Sequence, residues 1–402
     1  MKWFNFLLLP LFLFVFYGAY LFQYDLKIIP QELVSSHPSG FYDYKGVINV
    51  HTDLSTGTGT PMEVIHAAQR AGLDFISFTD LNVFDPPENI ASYYDNVLVF
   101  VDGEYSYLNS RLLNLFATSS KHLQGVGRSQ VFFNDLLSSY PRPESAGILI
   151  LAHPFKPDYQ WSGEYPVGLD GIELINLKQI WQKAWLTHRA SFFWSLLIYP
   201  FNDRLAFIRL VEDQHEETDL LDRLSQKRHV IGISGADAEA RFLFGKNPLF
   251  RFPAYETIFG ISTNHILLRS ELTGNEPSDR EKISQAIKNG NFYVSLDLLA
   301  NPKGFNAVVK SPDGKTFLIG SEFKWKEGME LEITLPHKPR VPFDVDIYRN
   351  GELMVVSNSK QTLFKLPGPG NYRVKVRVIP TFPLPDGKRW VPWIYTNPFF
   401  VK

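Results

Sequence analysis

The stretch of sequence that decides the fold is residues 46–82, GVINVHTDLSTGTGTPMEVIHAAQRAGLDFISFTDLN. Two short apolar runs, at 47–50 and 75–78, are typical of buried strands. Between them, a Gly, Ser and Thr loop leads to Pro61, a residue favoured in the first turn of a helix. Gly72 is a typical residue for the end of that helix. The stretch therefore predicts a strand, a helix and a second strand in succession.

Polar residues follow the two strands of this unit, and the pattern recurs along the chain. His51 and Asp80 end the first two strands, while Glu104, His153 and Asp237 end or follow later apolar runs. Because the carboxyl ends of parallel strands meet at one edge, we expect these side chains to converge there. Two histidines and three carboxylates suit Zn, Mn or Fe. Each residue taken singly also has a structural explanation, as a cap or a solvated loop residue.

Composition excludes several other classes of site. The chain has 402 residues, enough for two or three domains, and a net charge of −2 that argues against a nucleic-acid partner. It contains no cysteine, which excludes disulfides and thiolate metal sites.

The N-terminus carries the clearest targeting signal. Residues 4–22 are almost entirely apolar and follow Lys2, so the sequence predicts an uncleaved signal anchor at 1–23 and a linker at 24–45. A cleaved signal peptide is the alternative, although no small-x-small cleavage site is evident. A signal anchor would make the membrane a partner of the chain. Under either interpretation the rest of the chain lies outside the cytoplasm.

The pattern of predicted secondary structure divides the remaining chain into two regions. Residues 46–300 alternate short apolar strands with helices, which indicates an α/β fold with a parallel sheet or barrel. A helical insert at 177–228 is rich in aromatic residues and either packs on the barrel or rests on a membrane surface or over the site. Residues 301–402 alternate strands with turns, among them the hairpin signal Asn350-Gly351, and predict an antiparallel β-sandwich.

Several motifs resemble those of the PHP (polymerase and histidinol phosphatase) superfamily, in particular its membrane-anchored branch with a C-terminal β-sandwich. The resemblance covers most of residues 46–402 and implies a (β/α)7 barrel and a metal-dependent hydrolase. The motifs that carry it are Asn49-Val50-His51, Thr79-Asp80-Leu81-Asn82, Asp102-Gly103-Glu104, Ala152-His153-Pro154, Gly171-Ile172-Glu173-Leu174-Ile175-Asn176 and Gly235-Ala236-Asp237-Ala238-Glu239.

The departures from the family pattern affect the metal site. Asn49, Leu81, Arg111 and Glu239 stand at four positions where the family has histidine. Leu81 cannot bind metal, and the fixed charge of Arg111 would repel a cation. The resemblance therefore implies at most one divalent ion, with no ion as the alternative. The ligands it implies are His51, Glu104, His153, Asp237 and Glu239.

Two functions follow from the resemblance. The first is an extracytoplasmic metal-dependent hydrolase of small phosphate or other esters, in which Asp80, Arg111 and Lys156 are the predicted catalytic residues. Arg111 and Lys156 would then bind phosphate oxygens. The second is a catalytically inactive relative, a binding or scaffolding module of the envelope, in which Arg111 pairs with carboxylates in a metal-free pocket.

Overall fold

The computed structural model describes residues 2–29, 40–118, 126–244 and 247–402. Ten residues of the predicted linker, 30–39, therefore lie outside the described part of the chain. The helices are α1 (Lys2–Phe22), α2 (Pro61–Arg70), α3 (Val126–Ser138), α4 (Leu177–Thr187), α5 (Arg189–Ile198), α6 (Asp203–Ile208), α7 (His215–Ser225), α8 (Tyr255–Phe259) and α9 (Glu276–Lys288).

Strands of the first region alternate with these helices. They are β1 (Tyr42–Val50), β2 (Phe75–Phe78), β3 (Tyr93–Tyr94), β4 (Val97–Val101), β5 (Gly103–Tyr107), β6 (Ser110–Leu115), β7 (Ile148–Leu151), β8 (Gly171–Asn176), β9 (Ile231–Ala238), β10 (Phe242–Phe244), β11 (Asn247–Phe250), β12 (Thr263–Leu268) and β13 (Phe292–Ser295).

The C-terminal strands follow without an intervening α-helix. They are β14 (Asn306–Lys310), β15 (Thr316–Leu318), β16 (Glu322–Phe323), β17 (Glu330–Thr334), β18 (Phe343–Arg349), β19 (Glu352–Ser357), β20 (Gln361–Lys365), β21 (Gly370–Val378), β22 (Val391–Thr396) and β23 (Phe399–Val401).

The first region is built on parallel strands in the order β4, β2, β1, β9, β8, β7. Two antiparallel strands, β6 and β5, extend this sheet beyond β7. The first half of β1 also pairs with β12, which runs antiparallel to it. The α/β character predicted from the sequence is confirmed, whereas a (β/α)7 barrel remains a prediction. The parallel pairing matters for function because it brings the carboxyl ends of successive strands to one edge.

Helix α2 begins where the sequence predicts it. The Thr60 side chain accepts a hydrogen bond from the Glu63 amide, and the Glu63 carboxylate accepts one from the Thr60 amide. This capping box satisfies two of the otherwise unpaired groups of the first turn. Apolar residues on one face, including Val64 and Ile65, are fully buried against the sheet. The helix thereby holds the loop after β1 in place.

Helices α4 to α7 form the predicted insert. Trp181 of α4 lies with its ring centroid 4.8 Å from that of Phe192 on α5 and 5.6 Å from that of Phe207 on α6. Helix α1 also reaches the insert, since the Asn202 side chain donates to the Leu21 carbonyl. None of the helices in the described residues is both long and apolar enough to span a bilayer. The structure therefore does not confirm the anchor predicted at 1–23.

Apart from the parallel pair of β16 and β23, the C-terminal strands form two antiparallel groups. One is a four-stranded sheet in the order β15, β14, β17, β20. The other runs β19, β18, β21, β22, and β22 continues into the large sheet by pairing with β13, so that Tyr293 lies opposite Thr396. Backbone hydrogen bonds therefore cross the boundary predicted near residue 300.

Candidate metal and phosphate site

Four of the predicted site residues meet at the carboxyl ends of the parallel strands. The Nε2 atom of His51 lies 3.4 Å from Oε2 of Glu104 and 3.6 Å from Oδ1 of Asp237. His153 Nε2 lies 3.7 Å from the other oxygen of Glu104. All four side chains are at least 94% buried, as expected for groups at the bottom of a cleft. The convergence predicted from the strand ends is therefore present.

The hydrogen-bonding partners of His51 decide which ring nitrogen is free. Ser55 donates its hydroxyl hydrogen to Asp80 Oδ1 at 2.5 Å, so its oxygen is left as an acceptor for His51 Nδ1, 3.5 Å away. With the proton on Nδ1, the lone pair of Nε2 points toward two carboxylates. This nitrogen is buried and has no hydrogen-bond partner. A lone pair facing two negative oxygens requires a cation, either a proton or a metal ion, between them.

Asp80, predicted to be catalytic, accepts hydrogen bonds from the loop that follows β1. Its Oδ1 also accepts the Thr52 amide, and its Oδ2 accepts the Thr52 hydroxyl, both at 2.7 Å. With Ser55 as a third donor, the carboxylate holds the turn that follows β1. The structure therefore places Asp80 behind His51, where it orients the imidazole through Ser55.

Asn49, at a position where the family has histidine, has a structural partner. Its side-chain amide donates to Glu173 Oε1 at 2.8 Å and accepts from the Thr79 hydroxyl. The other Glu173 oxygen accepts the His153 amide at 2.6 Å. This bond helps to hold His153 at φ +32°, a conformation that non-glycine residues rarely adopt. Burial raises the pKa of Glu173, although His153 and Asn49 favour its charged form.

Two lysines face the carboxylates from the opposite side of the cleft. Lys156 Nζ and Lys178 Nζ each lie 3.5 Å from an oxygen of Asp237. Burial alone would raise the pKa of Asp237, but Lys178 and Lys156 outweigh it and hold that pKa far below its usual value. Burial likewise opposes the charge on Lys178, yet Asp237 and Glu239 raise its pKa above the ordinary value. Both ions therefore stay charged over the physiological range.

Glu239 is bound on both sides by cations. Lys178 lies 2.6 Å from its Oε1, and Arg241 donates to its Oε2 at 2.9 Å. The predicted metal ligand is thus already neutralised by two side chains. Neither Lys178 nor Arg241 was identified from the sequence, although Lys178 follows the end of β8 by two residues, the same signal that marks His51 and His153.

Arg111 does not make the carboxylate ion pair considered in the sequence analysis. It donates to Ser106 Oγ, and its guanidinium carbon lies 5.2 Å from the centre of the Tyr159 ring. Lys156 Nζ lies 5.1 Å from the same ring. Both cations line a cavity of about 110 Å³ together with Glu104, and Leu81 also lies on its wall. Arg111 and Lys156 therefore present positive charge to the cavity, and their role in binding phosphate remains a prediction.

Whether these residues suit a metal depends on distance and donor type. In the described part of the chain, no group of three or more His, Asp and Glu side chains meets the geometry of a metal site. The pairwise distances around His51 are nevertheless those of neighbouring ligands. Two donors bound to one ion at roughly 2.0–2.2 Å and the tetrahedral angle are about 3.3–3.6 Å apart. The donor types and the unpaired His51 nitrogen thus fit one ion. Because Lys156 and Lys178 already supply positive charge beside Asp237, the site does not suit a cluster of several ions.

Comparison with protein-family models gives no match, and comparison with curated proteins gives none either. Among solved structures, the chain is similar to a two-domain protein from Bacteroides vulgatus that contains a predicted PHP-like metal-dependent phosphoesterase. The identity is 12%, the TM-score is 0.41, and the match covers 94% of this chain and 99% of the other.

A second solved structure, described as a candidate metal-dependent phosphoesterase from Bifidobacterium adolescentis, matches with 13% identity and a TM-score of 0.29. This match covers 52% of the chain and 92% of the other protein. The chain is thus similar, at low identity, to proteins described as metal-dependent phosphoesterases. Its membership of the PHP superfamily remains a prediction from the motifs.

Proposed function

We propose that this protein hydrolyses phosphate esters and holds one divalent metal ion between His51, Glu104 and Asp237, with His153 beside it. The observation that carries the proposal is the buried Nε2 atom of His51, which faces two carboxylates at 3.4 and 3.6 Å without a hydrogen-bond partner. Neutral imidazole with two carboxylates is a donor set typical of Zn, Mn and Fe sites.

The rest of the cleft suits a phosphate group. Arg111 and Lys156 line the small cavity beside Glu104 and can bind two phosphate oxygens. Lys178, together with Lys156 and Arg241, balances the charges of Asp237 and Glu239, so that an anion entering the cleft does not face their full negative charge. A divalent ion bound at His51 would supply Lewis-acid stabilisation and acidify a water molecule. Glu104 and His153, 3.7 Å apart, are the groups placed to accept or return a proton.

A second function is favoured by a different observation, the ion pairs of Asp237 and Glu239. Lys156, Lys178 and Arg241 already neutralise these carboxylates without any metal. A pocket balanced in this way would bind an anionic ligand without hydrolysing it. This is the metal-free binding module considered from the sequence.

Elemental analysis of the purified full-length chain separates the two functions. We expect close to one equivalent of Zn, Mn or Fe after expression in metal-replete medium, and release of phosphate from 4-nitrophenyl phosphate. His51→Ala should lose both the ion and the activity. His66→Ala, on the exposed face of α2, is the matched control and should lose neither. Trace metal in the wild type would reject the hydrolase and leave the binding module.

We also propose that the apolar helix α1 attaches the chain to a membrane. Most of the chain would then lie outside the cytoplasm. Support comes from the side chains of α1, since Phe12, Phe16 and Phe22 are 64, 71 and 76% exposed. Apolar side chains in water at this density are unfavourable. Recovery of the full-length chain in the soluble fraction after cell lysis would refute this attachment.

A further inference from the structure

We infer that the ester recognised by this site carries a bulky apolar group next to its phosphate. The inference rests on the proposed function and specifies its substrate class. It comes from a second cavity, of about 430 Å³, that opens beside the small polar one. The residues common to both cavities are Lys156, Tyr159, Lys178, Asp237, Glu239 and Arg241. A single ligand can therefore occupy the two cavities by passing across this charged boundary.

Beyond that boundary, the walls of the large cavity are apolar. Trp181 of α4 lines this end of the cavity, with its ring centroid 6.1 Å from that of Phe252. Phe207, Ile258 and Ile261 are at least 91% buried behind it. The cavity thus has one end lined by ions and another lined by aromatic and aliphatic side chains. Sites of this kind bind ligands whose polar and apolar parts are separated in the same way.

The helical insert supplies the apolar end. Leu177, Lys178, Trp181 and Gln182 lie on one face of α4, spaced one, three and four residues apart, and all line the cavity. Lys178 on the same helix turns toward Asp237 and Glu239. One helix therefore carries both the lysine that pairs with Asp237 and Glu239 and the wall that would hold the apolar group.

The volume of the cavity limits the size of the apolar group that the ester can carry. An apolar cavity of about 150 Å³ holds one benzene molecule. A space of about 430 Å³ accordingly admits a fused aromatic ring system or a short acyl chain rather than a single methyl group. Two sources share this chemistry, a soluble aryl or alkyl phosphate and a phospholipid whose chain enters the cavity.

Calorimetric titration with two probes of equal charge tests the inference. We expect 1-naphthyl phosphate to bind on the order of tenfold more tightly than glycerol 3-phosphate, because only the naphthyl group buries apolar surface. This comparison uses the wild-type protein and needs no variant. Measurable and equal affinities for the two esters would overturn the inference.

Two tryptophans of α4 provide a matched pair of variants. Trp181→Ala should abolish most of the preference for the naphthyl ester, and Trp181→Leu, which keeps an apolar wall, should retain part of it. Trp185→Ala changes the same residue type one turn later, where the side chain is 41% exposed and lines neither cavity, and should leave the preference intact. Loss of preference in Trp185→Ala but not in Trp181→Ala would contradict the inference.

A vesicle arm distinguishes the two sources. Sedimentation with phosphatidic-acid vesicles but not with phosphatidylcholine vesicles, to which α1 would also attach the chain, identifies a lipid. Binding of 1-naphthyl phosphate without this difference between vesicles identifies a soluble ester. Binding of neither overturns the inference. Preferential binding of the naphthyl ester without any phosphate release would refute the proposed hydrolase but not the inferred ligand class. Phosphate release without this preference would refute the ligand class but not the hydrolase.

Discussion

The ammonium group of Lys178 lies 2.6 Å from Oε1 of Glu239. Glu239 stands at a position where the PHP motif that this chain resembles has a histidine ligand. Glu239 therefore has a cation bound to it that belongs to the chain itself. The same ammonium group is 3.5 Å from Asp237. Positive charge that a metal cluster would supply is thus supplied here by a lysine. This contact explains how the cleft can hold the buried carboxylates of Asp237 and Glu239.

Removal of the Lys178 charge should destabilise the fold. Lys178→Met leaves Glu239 with Arg241 alone and Asp237 with Lys156 alone, and we expect a loss on the order of 2 kcal/mol in the free energy of unfolding, measured with urea. Lys183→Met is the matched control on the same helix. Its pair with Glu216 is more than half exposed, so its loss should be below about 0.5 kcal/mol. Equal effects of the two substitutions would contradict this account.

The Ser55 hydroxyl should tune metal binding through His51. Ser55→Ala removes the group that bridges Asp80 and His51 Nδ1, and so leaves the imidazole free to rotate. We expect the affinity for Zn or Mn, measured by calorimetry on the metal-stripped protein, to fall roughly tenfold or more. Ser284→Ala, on helix α9, is the control and should bind metal as the wild type does. An unchanged affinity in Ser55→Ala would exclude this orienting role.

The loop after β1 should not accept a side chain at Gly57. A Cβ atom there would lie 2.3 Å from the His51 carbonyl oxygen and 2.6 Å from the Tyr255 hydroxyl. Gly57→Ala is therefore expected to lose about 1–3 kcal/mol of stability and to displace His51. Gly387→Ala, where a Cβ meets nothing within 4 Å, should change stability by less than about 0.5 kcal/mol. Thermal unfolding of both variants checks this, and a silent Gly57→Ala would show that the loop can shift.

A buried histidine far from the cleft predicts how stability depends on pH. His265 Nδ1 lies 2.7 Å from Asp43, and Nε2 lies 3.2 Å from Asp297. Tyr293 donates to Asp43 at 2.6 Å and stacks on the imidazole. Burial alone would lower the pKa of His265, but Asp43 and Asp297 outweigh it and raise that pKa from 6.5 to about 10.

The sign of the pH effect follows from that shift. The folded protein holds the His265 proton more tightly than the unfolded chain, so its stabilisation is complete below about pH 6.5. It is lost progressively as the pH rises toward 10. Urea unfolding between pH 6.5 and 9 should therefore show falling stability. His265→Gln should flatten this slope, and His66→Gln, on the exposed face of α2, should retain it; a flat wild-type profile would refute the ion pair.

Local sequence signals identified the elements that carry the site. Thr60, Pro61 and Glu63 start α2 through contacts within four residues, so their effect can be predicted from the sequence. His51 and Asp237 were likewise predicted to converge, because parallel strands bring their ends to one edge. Ser278, with Glu281 three residues later, has the pattern of a capping box and predicts a helix start, but this prediction is wrong. Asn275 caps α9 instead, and Pro277 lies in its first turn.

The roles of individual side chains could not be predicted in the same way. Asp80 was expected to be catalytic, and the structure shows that it accepts hydrogen bonds from Thr52 and Ser55 of the loop after β1. Arg111 was considered a carboxylate partner, a role that Lys178 and Arg241 take for Glu239. These outcomes depend on side-chain directions across elements that are far apart in sequence. A strand-end pattern determines which residues approach one another, but not which of two cations reaches a carboxylate.

The sequence by itself determined the α/β character, the start of α2 and the set of polar residues at the strand ends, since each depends on local periodicity or on contacts within a few residues. Only the tertiary structure decided that His51 Nε2 is left without a hydrogen-bond partner and that Lys178 pairs with both Asp237 and Glu239. Charge balance and hydrogen-bond satisfaction in a buried cleft are properties of all the groups that meet there, which the chain brings together from segments more than 180 residues apart.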